Sequence, residues 1–382
     1  MSPRARREPG WREDGGRDMT PAVGTPGGPA SWRRATAGAA VALHQRSWRD
    51  ARWSSIFRTG TGYASAQPAD PERVAEANLR GRRGESPTVV QGPVMKAAVW
   101  TWEIPLYFWF GGMAAGASFV GLACDLAGDE KSAQVARKVA LAALLPSPPL
   151  LIMDLGRPER FYNMLRIFKP RSPMSMGSWC LTIFGGLASA AVGADLLGRR
   201  RTARGLGAAN AVVGGYLGSY TGVLLASTAV PVWARSRLLL GPIFVSTATL
   251  TGAAATRLVL SATGTPPGHP TRDALNRVEN AAMATELLLS EVNHHHLGSL
   301  ASVLDDGVGA SWFQRAKWLA RAGLAAQLTR RRPAIAEHIS SVCFMAAALC
   351  YRHAWVRSGV SSAHDDEAVA RTARERAPAR PA

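Results

Sequence analysis

Four stretches of this chain carry no Asp, Glu, Lys or Arg: those between Glu103 and Asp125, Arg171 and Asp195, Arg204 and Arg235, and Arg237 and Arg257. Each approaches or exceeds the ~18–20 residues that cross a bilayer core. A soluble core helix of that length would keep a polar face at the helical period. The chain therefore reads as all-α, a polytopic membrane bundle of about eight transmembrane helices. Its mean hydropathy of −0.02 looks soluble only because a polar first quarter and a charged tail dilute a strongly apolar middle.

The formal charge of +18 could suggest nucleic acid. The arginines, however, cluster in the tails and between apolar segments, where basic loops meet lipid headgroups and set topology. Membrane lipid, not nucleic acid, is the expected partner of that charge. Cys124, Cys180, Cys343 and Cys350 all lie in apolar segments, without the close spacing that holds iron–sulfur clusters. They read as small packing residues.

Three regions follow. Residues 1–96 are rich in Gly, Pro, Arg and Ala and bury too little apolar surface to offset ordering, so a disordered basic tail is expected. Residues 97–357 form the helical domain, and 358–382 form a charged disordered tail. The run Ala35–Leu43 after Arg33 and Arg34 faintly resembles a secretion-signal core, but it is short and is counted with the tail.

Helices are expected at about 98–125, 136–153, 174–196, 206–233, 237–261, 272–303 and 334–356. The segment Trp318–Leu328 is too short to span comfortably and contains Arg321. Pro146, Pro148 and Pro149 interrupt the second helix by removing backbone donors. That break is either a cavity wall or a helix ending early at the interface. Gly214, Gly218 and Gly222, and Gly112 with Gly116, form small-residue stripes for close helix packing. If all eight segments cross, Lys and Arg are comparable on both sides, and only the basic N-terminal tail argues for cytoplasmic termini.

Polar groups in or beside hydrocarbon are costly and mark candidate sites. Glu103 stands one turn before Tyr107 at the start of the first helix, a carboxylate able to relay protons beside a phenol able to bond a carbonyl. The ordinary alternative is an interfacial Glu solvated by headgroups. Asp154, Arg157 and Arg160 follow at i, i+3 and i+6, which lets an ion-paired ladder form if the segment is helical, with Asn163 one step on. Arg157, Arg160, Arg166, Lys169 and Arg171 meet only Asp154 and Glu159 in this connector. The excess calls for headgroups or an acidic docking partner. In the sixth helix Glu279, Glu286 and Asn293 recur every seven residues as a polar stripe, with Ser290 near the same face. Such a stripe suits a proton path, or structural bonding between helices. His294, His295 and His296 point about 100° apart on a helix and cannot converge on one ion; Glu291 pairs more readily with His295.

The run Trp100–Tyr107, the following Phe110–Gly116, and the connector Asp154–Arg160 with Phe168–Trp179 closely resemble the NrfD-like membrane subunit of polysulfide reductase and related complexes. The resemblance is specific over residues 88–195, looser through the sixth helix, and returns at Cys350–Trp355 and Asp365–Glu367; residues 1–87 lie outside it. It implies a multi-pass anchor in the cell membrane that binds menaquinone or a related quinone. It implies no haem or iron–sulfur cluster in the chain itself. The implied partners are a four-cluster ferredoxin-like iron–sulfur subunit and a molybdopterin enzyme such as formate dehydrogenase, as in anaerobic respiration.

On that reading Glu103, Tyr107, Asp154, Arg157, Arg160 and Asn163 bind the cofactor. Glu103 and Glu286 handle protons, and Arg166, Lys169 and Arg171 dock the partner. No metal ligands are expected. The rival readings are a cytochrome-b type anchor, for which His338, His353 and His294–His296 do not pair at one depth, and a transporter built around the Pro146–Pro149 break.

Overall fold

The computed structural model describes residues 95, 97–98, 100–155, 158–306, 308–327, 333–365, 368–369 and 372. Apart from Met95, the expected N-terminal tail therefore lies outside the described residues, as do Arg157 and the last ten positions. The described chain is helical: α1 Glu103–Leu126, α2 Glu130–Leu144, α3 Ser147–Met153, a 3₁₀ turn at Pro158–Arg160, α4 Asn163–Arg166, α5 Pro173–Leu196, α6 Arg200–Ala226, α7 Pro231–Arg235, α8 Leu240–Ala262, α9 Pro270–Leu297, a 3₁₀ turn at Gly298–Ala301, α10 Ser302–Asp305, α11 Ala310–Gln327 and α12 Pro333–Ala363.

Five helical stretches are long and apolar enough to cross a membrane: Glu103–Leu126, Glu130–Met153, Pro173–Leu196, Leu240–Ala262 and Ile335–Ala363. Three further long helices fall short in composition. The charge-free part of α6 is diluted by its glycines and by Asn210, Ser219 and Thr221, α9 carries Glu279 and Glu286 in its interior, and α11 carries Arg315, Lys317 and Arg321. At about 1.5 Å per residue, α11 reaches about 27 Å, just short of a ~30 Å hydrocarbon core.

Boundaries move where proline or a tertiary contact intervenes. The second expected helix divides into α2 and α3 at Leu145 and Pro146, and the buried Ser147 then sits 3.9 Å from the Cβ position of Gly111 on α1. The fourth ends at Ala226, before Pro231 opens the short α7. The last runs on through residues 358–363. It is held there by Gly359, whose missing side chain admits the Trp233 ring, while the Trp233 indole N–H donates to the Trp355 carbonyl at 2.9 Å.

Helices α1, α5, α8 and α11 run away from the end that carries the connector between α3 and α5; α2 with α3, α6, α9 and α12 run back towards it. This end is called the connector face. Helices α1 and α8 occupy the centre, each packed against α2, α6 and α12 as well as against each other. Their close approach needs glycine: a Cβ on Gly116 would strike the Ala248 carbonyl, and one on Gly252 would strike the Gly116 backbone. The Gly214 and Gly222 stripe serves α6 in the same way, against Ser118 and against the start of α8.

The opposite face is fastened by ion pairs. Arg137 on α2 holds Asp195 through Nε (2.6 Å) and Nη2 (2.9 Å) and Asp125 through Nη1 (2.6 Å), all three groups being buried. Asp125 thereby ties α1, and Asp195 ties α5, to one guanidinium. Nearby, Asp129 caps α2 by accepting from the Ser132 amide (3.1 Å) and also accepts from the Thr271 hydroxyl on α9.

Burial would raise the Asp129 carboxyl, but the Ser132 and Thr271 hydrogen bonds outweigh it and hold the group below its ordinary value of 3.8. Because the folded value is the lower one, its contribution is complete above about pH 4 and is lost as pH falls through the folded value. The melting temperature of Asp129→Asn should therefore fall less steeply below pH 4 than that of the unaltered protein. Parallel melting curves from pH 6 to pH 3 would show no such role.

Candidate functional site

At the connector face α1 opens with Glu103, which is half-buried and accepts from the Thr101 hydroxyl. One turn on, Tyr107 is 2% exposed, and its hydroxyl finds no partner among the described residues. Its ring meets Tyr220 of α6 edge-on at 6.5 Å between centroids, and Tyr220 leans on Tyr216 at 6.1 Å. The Tyr220 hydroxyl donates to the Pro173 carbonyl at 3.3 Å, and Gly177 leaves the space that Tyr220 fills at the start of α5. An aromatic group thus links Tyr107 to the end of the connector. The sequence does not single out Tyr216 and Tyr220, which lie in a charge-free helix marked chiefly by its glycine stripe. Their i, i+4 spacing was the available signal.

The connector does not form one helix. Helix α3 stops at Met153, Asp154 is its C-cap, and the chain turns through Pro158–Arg160 before α4 begins at Asn163. Asp154 and Arg160 therefore share no helical face, and the expected ladder does not form as a helical array. Helix α3 has already closed at Asp154, and the next helical turn starts afresh at Pro158, which lacks the backbone donor that would continue a preceding helix. Arg160, Arg166, Lys169 and Arg171 are all exposed and Asn163 is half-buried. Phe161, Tyr162, Leu165, Ile167 and Phe168 are exposed among them. The far end is pinned by Ser175, which accepts from the Lys169 amide (3.0 Å) and donates to the Ile167 carbonyl (3.2 Å). The connector is a basic and aromatic surface, joined to the buried Tyr107 through Tyr220 and Pro173.

A second polar group lies in the interior between α8, α9, α11 and α12. The Ser290 hydroxyl donates to Glu286 (2.9 Å) and, its one proton committed, accepts from Tyr351 (2.7 Å). Arg352, fully buried, stands within electrostatic reach of Glu286 and faces the Phe244 ring at 5.5 Å. Two turns along α9 towards the opposite face, Glu279 pairs with Arg257 at 2.8 Å, and Arg257 also donates to Asn276, Ser341 and the Glu337 carbonyl. The seven-residue stripe thus faces inward throughout, with Glu279 0%, Glu286 7% and Asn293 1% exposed. Arg257, Tyr351 and Arg352 complete it from two other helices. Sequence spacing on one helix could not reveal partners of that kind.

The three consecutive histidines diverge as their spacing requires. His294 meets Asp305 at 3.0 Å, His295 meets Glu291 at 3.1 Å, and His296 lies 3.2 Å from the Arg235 carbonyl. His353 stacks on Trp312 and His338 bonds Ser261 at 2.7 Å, so these imidazoles serve separate local contacts.

A long first helix with a carboxylate and a buried phenol, a proline-broken second helix and a basic connector leading into a third describe one architecture. The NrfD family profile, described as polysulphide reductase, NrfD, matches residues 93–290. The chain belongs to the NrfD family. No curated protein matches it. Like others of its family, this NrfD protein is a membrane subunit of an oxidoreductase complex. The match spans α1 through most of α9, so Glu103, Tyr107, the connector, Glu279 and Glu286 lie inside it, while Tyr351 and Arg352 lie beyond.

Proposed function

We propose that this NrfD protein is the quinone-binding anchor of a respiratory complex in the cell membrane. On this reading it holds a menaquinone-type quinone beneath the connector face, within electron-transfer reach of a four-cluster ferredoxin-like iron–sulfur subunit. That subunit serves a molybdopterin enzyme of the polysulfide reductase or formate dehydrogenase type. The observation that carries the reading is the Tyr107 hydroxyl, a buried donor without a partner among the described residues, one turn inside a carboxylate at the membrane surface. An orphaned buried hydroxyl costs about 1–3 kcal/mol, a cost relieved when a ligand carbonyl accepts from it.

The residues suit such a group: aromatic walls from Tyr107, Tyr220 and Phe108, a donor, and a nearby proton-exchanging carboxylate. A quinone bound there supplies a two-electron, two-proton couple. Tyr107 orients it by donating a hydrogen bond, and Glu103 exchanges protons with water at the face. Asp154, Arg157, Arg160 and Asn163 set the local field. Arg166, Lys169 and Arg171 attract the acidic surface of the partner, and the exposed connector aromatics are covered by it. Glu286 carries protons deeper in the bundle. The reading is tested by comparing quinone-linked with dye-linked turnover of the purified complex in Glu103→Gln. Loss of the first with retention of the second supports it, and equal retention of both refutes it.

A further inference from the structure

The interior polar stripe is interrupted. Above Glu286, towards the connector face, lies a cavity of about 140 Å³ bordered by α9, α11 and α12, with α8 behind. Helix α9 packs on α8, and α11 packs on α12; the cavity occupies the gap between these two pairs. Glu286, Ser290, Tyr351 and Asn293 line its wall, and the buried Asn293 Oδ1 has no partner among the described residues. Its mouth is ringed by Glu291, His294, Asp305 and Lys317, all ionisable and all exposed or half-exposed. A charged rim and an orphaned carbonyl suit water, and the space exceeds the ~30 Å³ that one water occupies in the liquid.

Below Glu286 the character reverses. Leu250 of α8, Ala282 and Met283 of α9, Ala320 of α11, and Phe344 with Ala347 of α12 form one buried apolar cluster. Four of these side chains also close the inner end of the cavity. The layer is tightly filled, because Phe344 packs into the space left by Gly323 on α11. Beyond it lies the Arg257–Glu279–Ser341 group, so two buried carboxylates stand seven residues apart on α9, about 10 Å, with this apolar layer packed between them.

We propose that the cavity is an aqueous half-channel that brings protons from the connector face to Glu286, and that the Leu250–Met283–Phe344 layer is the barrier sealing it from the Glu279 side. The groups facing Glu286 are Ser290 on its own helix and Tyr351 and Arg352 on α12; Lys317 of α11 lines the same cavity, and α8 contributes only Thr247 and Leu250. Tyr351, Ser290 and Glu286 form a continuous hydroxyl-to-carboxylate chain along which a proton can pass, each oxygen releasing one proton as it accepts another. Arg352 offsets the charge when Glu286 is ionised. The inference deepens the reading of Glu286 as a proton carrier, and it makes no use of the quinone site.

The test uses the full-length protein in liposomes without quinone, with the four native cysteines replaced by alanine. In that background Ala316→Cys and Asn293→Cys should react with a small charged methanethiosulfonate added at the connector face, and Ala282→Cys should react from neither face. Widening the barrier with Met283→Ala and Leu250→Ala should raise passive proton flux under an imposed potential by at least about tenfold, and adding Glu286→Gln should return it to background. No labelling from the connector face, labelling only by a lipid-soluble maleimide, no leak, or a leak indifferent to Glu286 would each overturn the proposal. The labelling arm adds one small substitution at a time to the cysteine-free protein, so it stands even if the widened variant fails to fold. Its failure would leave the quinone reading untouched.

Discussion

Arg257→Ala should destabilise the bundle by about 3–5 kcal/mol, because it leaves the wholly buried Glu279 without a countercharge. The guanidinium satisfies five acceptor contacts at once: Glu279 through Nε (2.8 Å) and Nη2 (2.9 Å), Asn276 at 2.9 Å, Ser341 at 2.7 Å and the Glu337 carbonyl at 3.0 Å. These join α8, α9 and α12, so the loss is felt by three helices together. The attraction across such a pair is largely offset by its desolvation, and removing both charges should therefore cost far less than removing one. Arg257→Met combined with Glu279→Leu should recover most of the lost stability in detergent-based thermal unfolding. An Arg257→Ala protein within about 1 kcal/mol of the original would show that Glu279 is neutral or otherwise compensated.

Glu103→Gln should lower quinone-linked turnover by about 100-fold while the partner's dye-linked activity holds, since positioned proton transfer contributes about 10²–10⁴ in rate. Tyr107→Phe should act differently. It deletes one hydrogen bond to a bound carbonyl while keeping the ring contacts with Phe108 and Tyr220, so about tenfold is expected, carried mainly by KM for quinone. The pair thus separates a proton-exchanging group from an orienting one. Tyr107 is too deeply packed to be replaced by alanine without collapse of the aromatic group around it, which makes phenylalanine the informative change. If Tyr107→Phe alters neither constant, the phenol has no part in holding the headgroup.

What could be read from the sequence divides along physical lines. Three of the four charge-free stretches were legible as spans, α1, α5 and α8, because hydrocarbon imposes a one-dimensional rule on length and composition, whereas α6 is diluted by glycine and polar side chains. The inward stripe of Glu279, Glu286 and Asn293 was legible for a related reason, since helix period alone places those residues on one face. Pairings between helices were not. Arg257 marked only the end of a charge-free stretch, and nothing local ties it to Glu279, twenty-two residues on, or to Ser341. The Arg137 clamp on Asp125 and Asp195 was hidden for the same reason. Backbone-breaking residues caused the other departures: the connector ladder presumed a helix that ends at Met153, and the fourth span stops short before Pro231. The final helix outruns its expected end because Gly359 docks on Trp233, a contact between residues far apart in the chain.

The central claim, that this NrfD protein holds a quinone under its connector, is tested most directly by photolabelling the purified complex with an azido-quinone and sequencing the modified peptides. Label should fall in Glu103–Phe110 and in the 154–179 connector, and excess unmodified menaquinone should displace it. Label confined to other helices, or label that menaquinone does not displace, would contradict the account.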